Sequence, residues 1–434
     1  MKSGDPPLQE SRLPPASLAW LVWGLAACFY LVAFYQRVAP AVLTQELSRD
    51  FRLSAASLGN LSAFYFYSYV AAQIPTGLLA DRWGPRKLLT AGAAIAALGT
   101  LVFALAPNVL VANAGRLLIG ASAGVAFVSM LKLATHWMEP RRFAFTSGLA
   151  LFIGVLGATL AGVPLRMAVD TFGWREVMVA SAAVTALVAV VVWIAVRDDP
   201  KDRGFESYHP AQDRAVTTTS VASDLRAIFG YRNIWILLFA PAALSSLTLS
   251  FGGLWGVPFL VMHYGFTPTG AATMASAMLV AWSLSSLGWS VLSERLRRRK
   301  APLVVGVVAA MLLWAATIFL PGLGRGALVA LLIAASATAG AFVLTFAFAK
   351  ESVPSRLAGT ASGIANMGVM IGGMVMQPAI GILLDLNWDG VMADGARFYS
   401  YEAFQRAFAL ILAWGALALV LLAFARETYC RPAS

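Results

Sequence analysis

Four basic residues, Arg37, Arg116, Lys132 and Arg166, stand inside long apolar runs of the sequence. A charge at the centre of a membrane-spanning helix costs roughly 2.5 to 3.5 kcal/mol on insertion scales, so each needs a partner, a wet cavity or a short reach to the surface. Arg116 and Arg166 fall near the ends of their runs, where a long side chain snorkels or packs against a helix terminus, and both are read as structural. Lys132 and His136 are four residues apart and share one helical face. Arg37 stands in the segment FYQRVAP, some way in from the end of the first run. No acidic residue lies near the middle of the first six runs. Gathered on one cavity, such cations would hold an anion. His136 is the candidate for carrying a proton, because an ordinary imidazole changes charge near pH 6.5; exchange of one anion for another is the alternative form of coupling.

A second wall for the same cavity is suggested by Tyr65, Tyr69, Gln73 and Gly77, which recur every four residues and drift slowly around one helix towards Asp81. Their hydroxyl and amide groups either face the cavity or pack against a neighbouring helix. In the second half of the chain Trp255, Asn366 and Gln377 are the polar candidates. Gly252-Gly253, Gly256-Val257-Pro258 and Gly372-Gly373 are places where helices bend or approach closely. Two cysteines and three histidines are too few for a disulfide framework or a metal cluster. No HExxH, GxSxG or GxxxxGK[ST] pattern stands in a context that would support enzyme chemistry or nucleotide-driven pumping. Neither an enzyme nor a cofactor is expected.

The elements that position these residues follow from composition. Of 434 residues 59% are apolar and 12% charged, against roughly 45–50% and 25% in soluble domains, and mean hydropathy is +0.74. Twelve runs are long enough to span a bilayer: near residues 17–43, 57–79, 88–107, 109–137, 143–168, 176–196, 234–262, 269–292, 302–320, 327–349, 358–384 and 404–425. The expected fold class is therefore an all-α membrane protein with twelve transmembrane helices in two six-helix bundles. The first bundle takes residues 1–197, a polar central loop 198–232, and the second bundle 233–434. Within the loop, Ser223 precedes an apolar-periodic stretch that would suit a short surface helix. The first run is too long for a signal-peptide core and is read as a retained helix. With both termini cytoplasmic, inner segments hold 22 of the 32 Lys and Arg residues and outer loops 6, the bias expected of cytoplasmic loops. The net charge of +11 thus reports topology rather than nucleic-acid binding. The expected location is multi-pass in a bacterial inner membrane, with lipid as the surroundings and the single chain as the working unit.

The two halves repeat. At an offset of 213, ADRWGPRK (80–87) lies over SERLRRRK (293–300), pairing Asp81 with Glu294, Arg82 with Arg295 and Arg86 with Arg299. At an offset of 214, EPRRFAFT (139–146) lies over VPSRLAGT (353–360), pairing Arg142 with Arg356. Parallel repeats with binding between the halves are a transporter architecture.

GLLADRWGPRK (77–87), Gly115-Arg116 with Gly120 and Gly124, and Gly173-Trp174-Arg175 resemble the recurring motifs of the major facilitator superfamily over nearly the whole chain. The resemblance implies a secondary transporter working by alternating access, with the first and fourth spans lining its cavity. It also implies a conformational latch at Gly77, Asp81, Arg82, Gly84, Arg86 and Arg142, with Glu294 and Arg295 in the second copy. There Arg297 stands where the first copy has Gly84. SMLKLATHWMEPRR and FYQRVAPAVL are similar to the fourth and first helices of the organophosphate and organic anion branch, which carries Arg37, Lys132 and His136 over as anion contacts. Tyr65, Tyr69, Gln73, Trp255 and Asn366 complete the expected site. That branch has a further arginine in its seventh span, whereas APAALSSLTLSFGGLWGVPFL here contains no basic residue, so a carboxylate or larger organic anion is at least as well matched as a phosphate. The competing readings are proton-coupled multidrug efflux, which shares the loop motif, and a transporter-like metabolite receptor.

Overall fold

The computed structural model describes residues 13–208, 226–393 and 395–431; the side chains of Ile74, Leu78, Asp81 and Ala144 and the surroundings of Gly77 lie outside that description. The chain runs through α1 (Ala16–Val38), α2 (Ala55–Trp83), α3 (Pro85–Ala104), α4 (Val109–Trp137), α5 (Pro140–Phe172), α6 (Trp174–Ala195), α7 (Arg232–Tyr264), α8 (Pro268–Leu296), α9 (Lys300–Phe319), α10 (Arg325–Glu351), α11 (Ala358–Leu386) and α12 (Tyr401–Ala423). A short helix, Thr44–Asp50, links α1 to α2, and an antiparallel hairpin pairs Met392–Ala393 with Ala396–Arg397. Eleven of the twelve helices are long and apolar enough to cross a membrane. The twelfth, α2, has the length but dilutes its apolar residues with Asn60, three tyrosines and Gln73.

Local sequence sets most of the helix starts. Ser54, Asn108, Thr267 and Ser400 each accept a backbone N–H from the first turn of the helix they precede, satisfying donors that have no partner within the helix. Pro85 and Pro268 occupy first-turn positions, where no N–H is required. In the central segment, residues 226–228 are helical and Ile228 is buried. The expected start of that helix, Ser223, lies outside the described residues.

The repeat seen in sequence recurs as structure. In the first half, the amide of Arg86 at the start of α3 donates to Asp198 Oδ1 (2.6 Å), just past α6. In the second half, the amides of Arg299 and Lys300 at the start of α9 donate to Glu427, just past α12. Each half thus closes its third helix onto its sixth with a carboxylate set against a helix N-terminus, where negative charge is favoured. Gly84 has φ +80°, and a Cβ there would overlap the Asp198 carboxylate, which explains the glycine in the first loop. Arg297 takes a left-handed conformation at the end of α8 (φ +50°).

The two halves meet closely at the end of the bundle opposite the chain termini. There Asp385, on α11, accepts the amides of Ala55 (3.0 Å) and Ala56 (2.8 Å) at the start of α2. It also accepts the Tyr399 hydroxyl (2.7 Å) and pairs with Arg397. A Cβ on Gly59, Gly162 or Gly381 would overlap the opposite half, so backbones approach as only small residues allow. Towards the termini, Gly148 on α5, Gly288 on α8, and Gly359 and Gly363 on α11 face open space. The bundle is sealed at the end opposite the chain termini.

Candidate functional site

Tyr69 is the middle residue of α2, and the polar groups of the bundle interior gather around it. Arg37, in the last turn of α1, is buried at 8% exposure. Its Nε donates to the Tyr65 hydroxyl (3.1 Å). Its guanidinium carbon lies 4.2 Å from the Phe34 ring centroid, 5.1 Å from that of Tyr69 and 5.4 Å from that of Tyr65. Tyr65 and Tyr69, one helical turn apart, stack with an interplanar angle of 15°. The faces of such rings attract a cation by about 2 kcal/mol when water is excluded. That interaction holds the guanidinium without neutralising it.

A second guanidinium also lies beside Tyr65. Arg116 lies 5.2 Å from the Tyr65 centroid and is 1% exposed. Its Nη1 donates to the Gln36 carbonyl (2.7 Å) and its Nη2 to the Ser62 carbonyl (3.3 Å), while its buried Nε has no acceptor. Among the described residues no carboxylate pairs with Arg37 or Arg116. Of the two structural readings of Arg116, packing against a helix end is the one found, at the Gln36 carbonyl in the last turn of α1; it does not snorkel, because Gly115 and Gly120 let α4 press so closely on α3 and α2 that the side chain between them cannot reach the surface. Those two glycines were the available signal. Arg166, by contrast, is structural as expected, held by Glu46, Asp170 and the Val42 carbonyl.

Across the halves, Asn366 on α11 donates its Nδ2 to the Tyr69 hydroxyl (3.4 Å). Trp255 serves helix packing: its indole N–H donates to the Gln377 carbonyl (3.0 Å) and it is 2% exposed. Gln377 in turn donates to the Leu249 carbonyl (2.7 Å). Gln73 is half-buried beside Gly124 of α4. The glycine-rich stretch of α7 does deform, as a π-helical turn over Leu247–Trp255, and Gly372 and Gly373 of α11 meet Ser245 and Phe66 at close range.

Lys132 and His136 stand elsewhere. Sixteen residues separate Lys132 from Arg116 on one helix, about 24 Å of rise, and Lys132 Nζ donates to the Ala80 carbonyl near the end of α2 (2.6 Å). The His136 Nδ1 lies 3.3 Å from Asp199 Oδ2 and 3.4 Å from Ser207 Oγ, and its carbonyl accepts the Tyr208 amide. Both residues therefore belong to the termini end of the bundle, His136 against the central segment. Of the loop residues, Arg86 donates to the Trp193 carbonyl (2.7 Å) and stacks on that ring. These contacts are all within its own half. Arg142 lies 3.8 Å from Glu139, whose carboxyl is held below its usual range by the Arg141 guanidinium. Arg82, Glu294 and Arg295 are exposed. Gly77 and Asp81 fall on helix α2, but their contacts lie outside the described residues.

A model of the Major Facilitator Superfamily matches residues 22–377. The chain belongs to that superfamily. It is 23% identical over 392 residues to a probable sulfoacetate transporter of Cupriavidus necator, covering 84% of this chain and 87% of that one. It is 27% identical over 386 residues to a gentisate transporter of Corynebacterium glutamicum, covering 87% and 82%. Over 197 residues, 44% of this chain and 48% of the other, it is 26% identical to a chloramphenicol efflux pump of Mycobacterium tuberculosis. In fold it matches the crystal structure of a bacterial homologue of the human lysosomal transporter Spinster, with a TM-score of 0.74, 18% identity and coverage of 94% and 97%. This major facilitator is a multi-pass membrane transporter and not an enzyme.

Proposed function

We propose that this major facilitator carries a small organic anion, held at Arg37 between the two halves. The observation that carries the reading is the pair of buried guanidiniums beside Tyr65 with no carboxylate partner among the described residues. In a site of low dielectric an uncompensated charge draws a counter-ion strongly, and an entering anion supplies the charge that the protein leaves out. Arg37 makes the direct contact, Tyr65, Tyr69 and Asn366 orient the ligand, and Arg116 adds field without touching it. The sulfoacetate and gentisate relatives support an anionic substrate. With the Lys and Arg bias setting both termini in the cytoplasm of a bacterial inner membrane, the Asp385 contacts form the outer seal. Residues 1–197 and 233–434 are the two moving bodies, joined by 198–232, within a single working chain.

The test is thermal stabilisation of the purified protein by carboxylates, sulfonates, organophosphates and lipophilic cations, followed by uptake into proteoliposomes. A ligand at 100 times its Kd stabilises by about 2.7 kcal/mol. Stabilisation by an anion, lost in Arg37→Gln, is expected, together with flux of the same anion. Stabilisation by lipophilic cations alone would replace this reading with efflux. Anion binding without flux would replace it with a receptor.

A further inference from the structure

Among the described residues the second half contributes no cation to the proposed site, but it contributes a flat surface. Trp282 is the middle residue of α8, as Tyr69 is of α2. The Trp282 ring stacks on Phe342 of α10 with centroids 4.1 Å apart and an interplanar angle of 16°. Phe346 packs edge-on against Phe342. All three rings pack against the apolar cluster that contains Tyr65 and Tyr69. The indole N–H of Trp282 is buried and has no acceptor. A buried donor without a partner is costly, and one that lines a binding site is satisfied when an acceptor arrives with the ligand.

Resting on the proposed anion site, we infer that the substrate is a planar aromatic carboxylate whose ring bears a hydrogen-bond acceptor such as a hydroxyl, with the carboxylate on Arg37, the ring between the Tyr65–Tyr69 and Trp282–Phe342 stacks, and the acceptor on the Trp282 N–H. Aromatic pairs are favoured in offset and edge-on arrangements, and rings on both halves let one flat ligand bridge them. An aliphatic anion of equal charge fills the same volume without those contacts. The unsatisfied indole N–H discriminates further, since a site built around a hydrogen bond rejects ligands that lack the partner.

The experiment compares hydroxybenzoates, benzoate and cyclohexanecarboxylate as competitors and as stabilising ligands for the full chain. In the unaltered protein a hydroxybenzoate is expected to bind about 10-fold more tightly than cyclohexanecarboxylate, with benzoate between them. Trp282→Phe keeps the preference for a ring and loses the gain from the hydroxyl. Trp282→Leu brings the aromatic and alicyclic ligands level. The comparison in the unaltered protein stands even if a variant does not fold. Equal binding of benzoate and cyclohexanecarboxylate, both lost in Arg37→Gln, overturns the aromatic assignment and leaves the anion site intact. Hydroxybenzoate binding that persists unchanged in Arg37→Gln overturns the anion site itself.

Discussion

The first and seventh helices stand at matching places in the two repeats, yet they solve opposite problems. Helix α1 delivers Arg37 to the centre of the bundle and surrounds it with rings. Helix α7 carries no charge there. It buries Ser245, Ser246, Thr248 and Ser250, and Ser245 and Ser250 donate to the carbonyls of Val369 and Gly372 on α11 (both 2.6 Å). Its π-helical turn coincides with this stretch, a deformation frequent at functional sites. Duplication preserved the scaffold but not the charge. On the proposed reading, one half recognises the anion and the other supplies neutral surfaces around it.

The largest effect that would break this contrast is expected at Arg37. Removing one partner of a desolvated charge contact costs 2–5 kcal/mol, so Arg37→Gln should weaken anion affinity by about 100-fold. Retention of affinity in a titration would end the asymmetry argument. Next comes the seal between the halves. Overpacking costs about 1–3 kcal/mol, and Gly381→Val places bulk against the Ala55 backbone. With the native cysteines replaced, a cysteine at Leu58 should then be labelled about 5- to 100-fold faster from the face opposite the termini, whereas unchanged labelling would mean that α2 and α11 do not gate that face.

The matching loops provide a finer contrast. Arg299 is buried and pairs with Glu351 at 2.8 Å, whereas its counterpart Arg86 lies half-exposed on a carbonyl and a tryptophan ring. Breaking a buried pair by removing one charge costs about 3 kcal/mol, so Glu351→Gln should lower the thermal midpoint clearly more than Arg86→Gln. Equal shifts would show that the two loops carry equal load. The smallest effect is expected at Ser250→Ala, which removes one buried neutral hydrogen bond worth about 1 kcal/mol; it should lower stability slightly and leave anion affinity unchanged.

Part of the candidate site was legible in the sequence. Arg37 and the Tyr65–Tyr69 pair were marked by helical spacing and by the cost of a charge in an apolar run, and Asn366 by its rarity there. Arg116 packs against a helix end rather than snorkelling, because distance from the end of a run measures reach to water only when the neighbouring helices leave a path. Lys132 and His136 share a face as their spacing requires, but spacing does not fix depth, and the structure places them with Ala80 and the central segment. Trp282 stood outside the sequence reading altogether, because one tryptophan in an apolar run carries no periodic signal.

What the sequence determined by itself was local in origin: the spans, set by bilayer thickness and hydropathy, the helix starts at Ser54, Asn108, Thr267 and Ser400, and the duplicated loops. The remaining features depend on residues far apart in the chain. Asp385 reaches back 330 positions to cap Ala55, Arg116 reaches 80 positions to Gln36, and Asn366 reaches 297 to Tyr69. Apolar periodicity records which face of a helix avoids water. Which partner satisfies a buried donor or charge is settled only when helices from both halves pack, because the cost of burial is set by the neighbours and not by the residue itself.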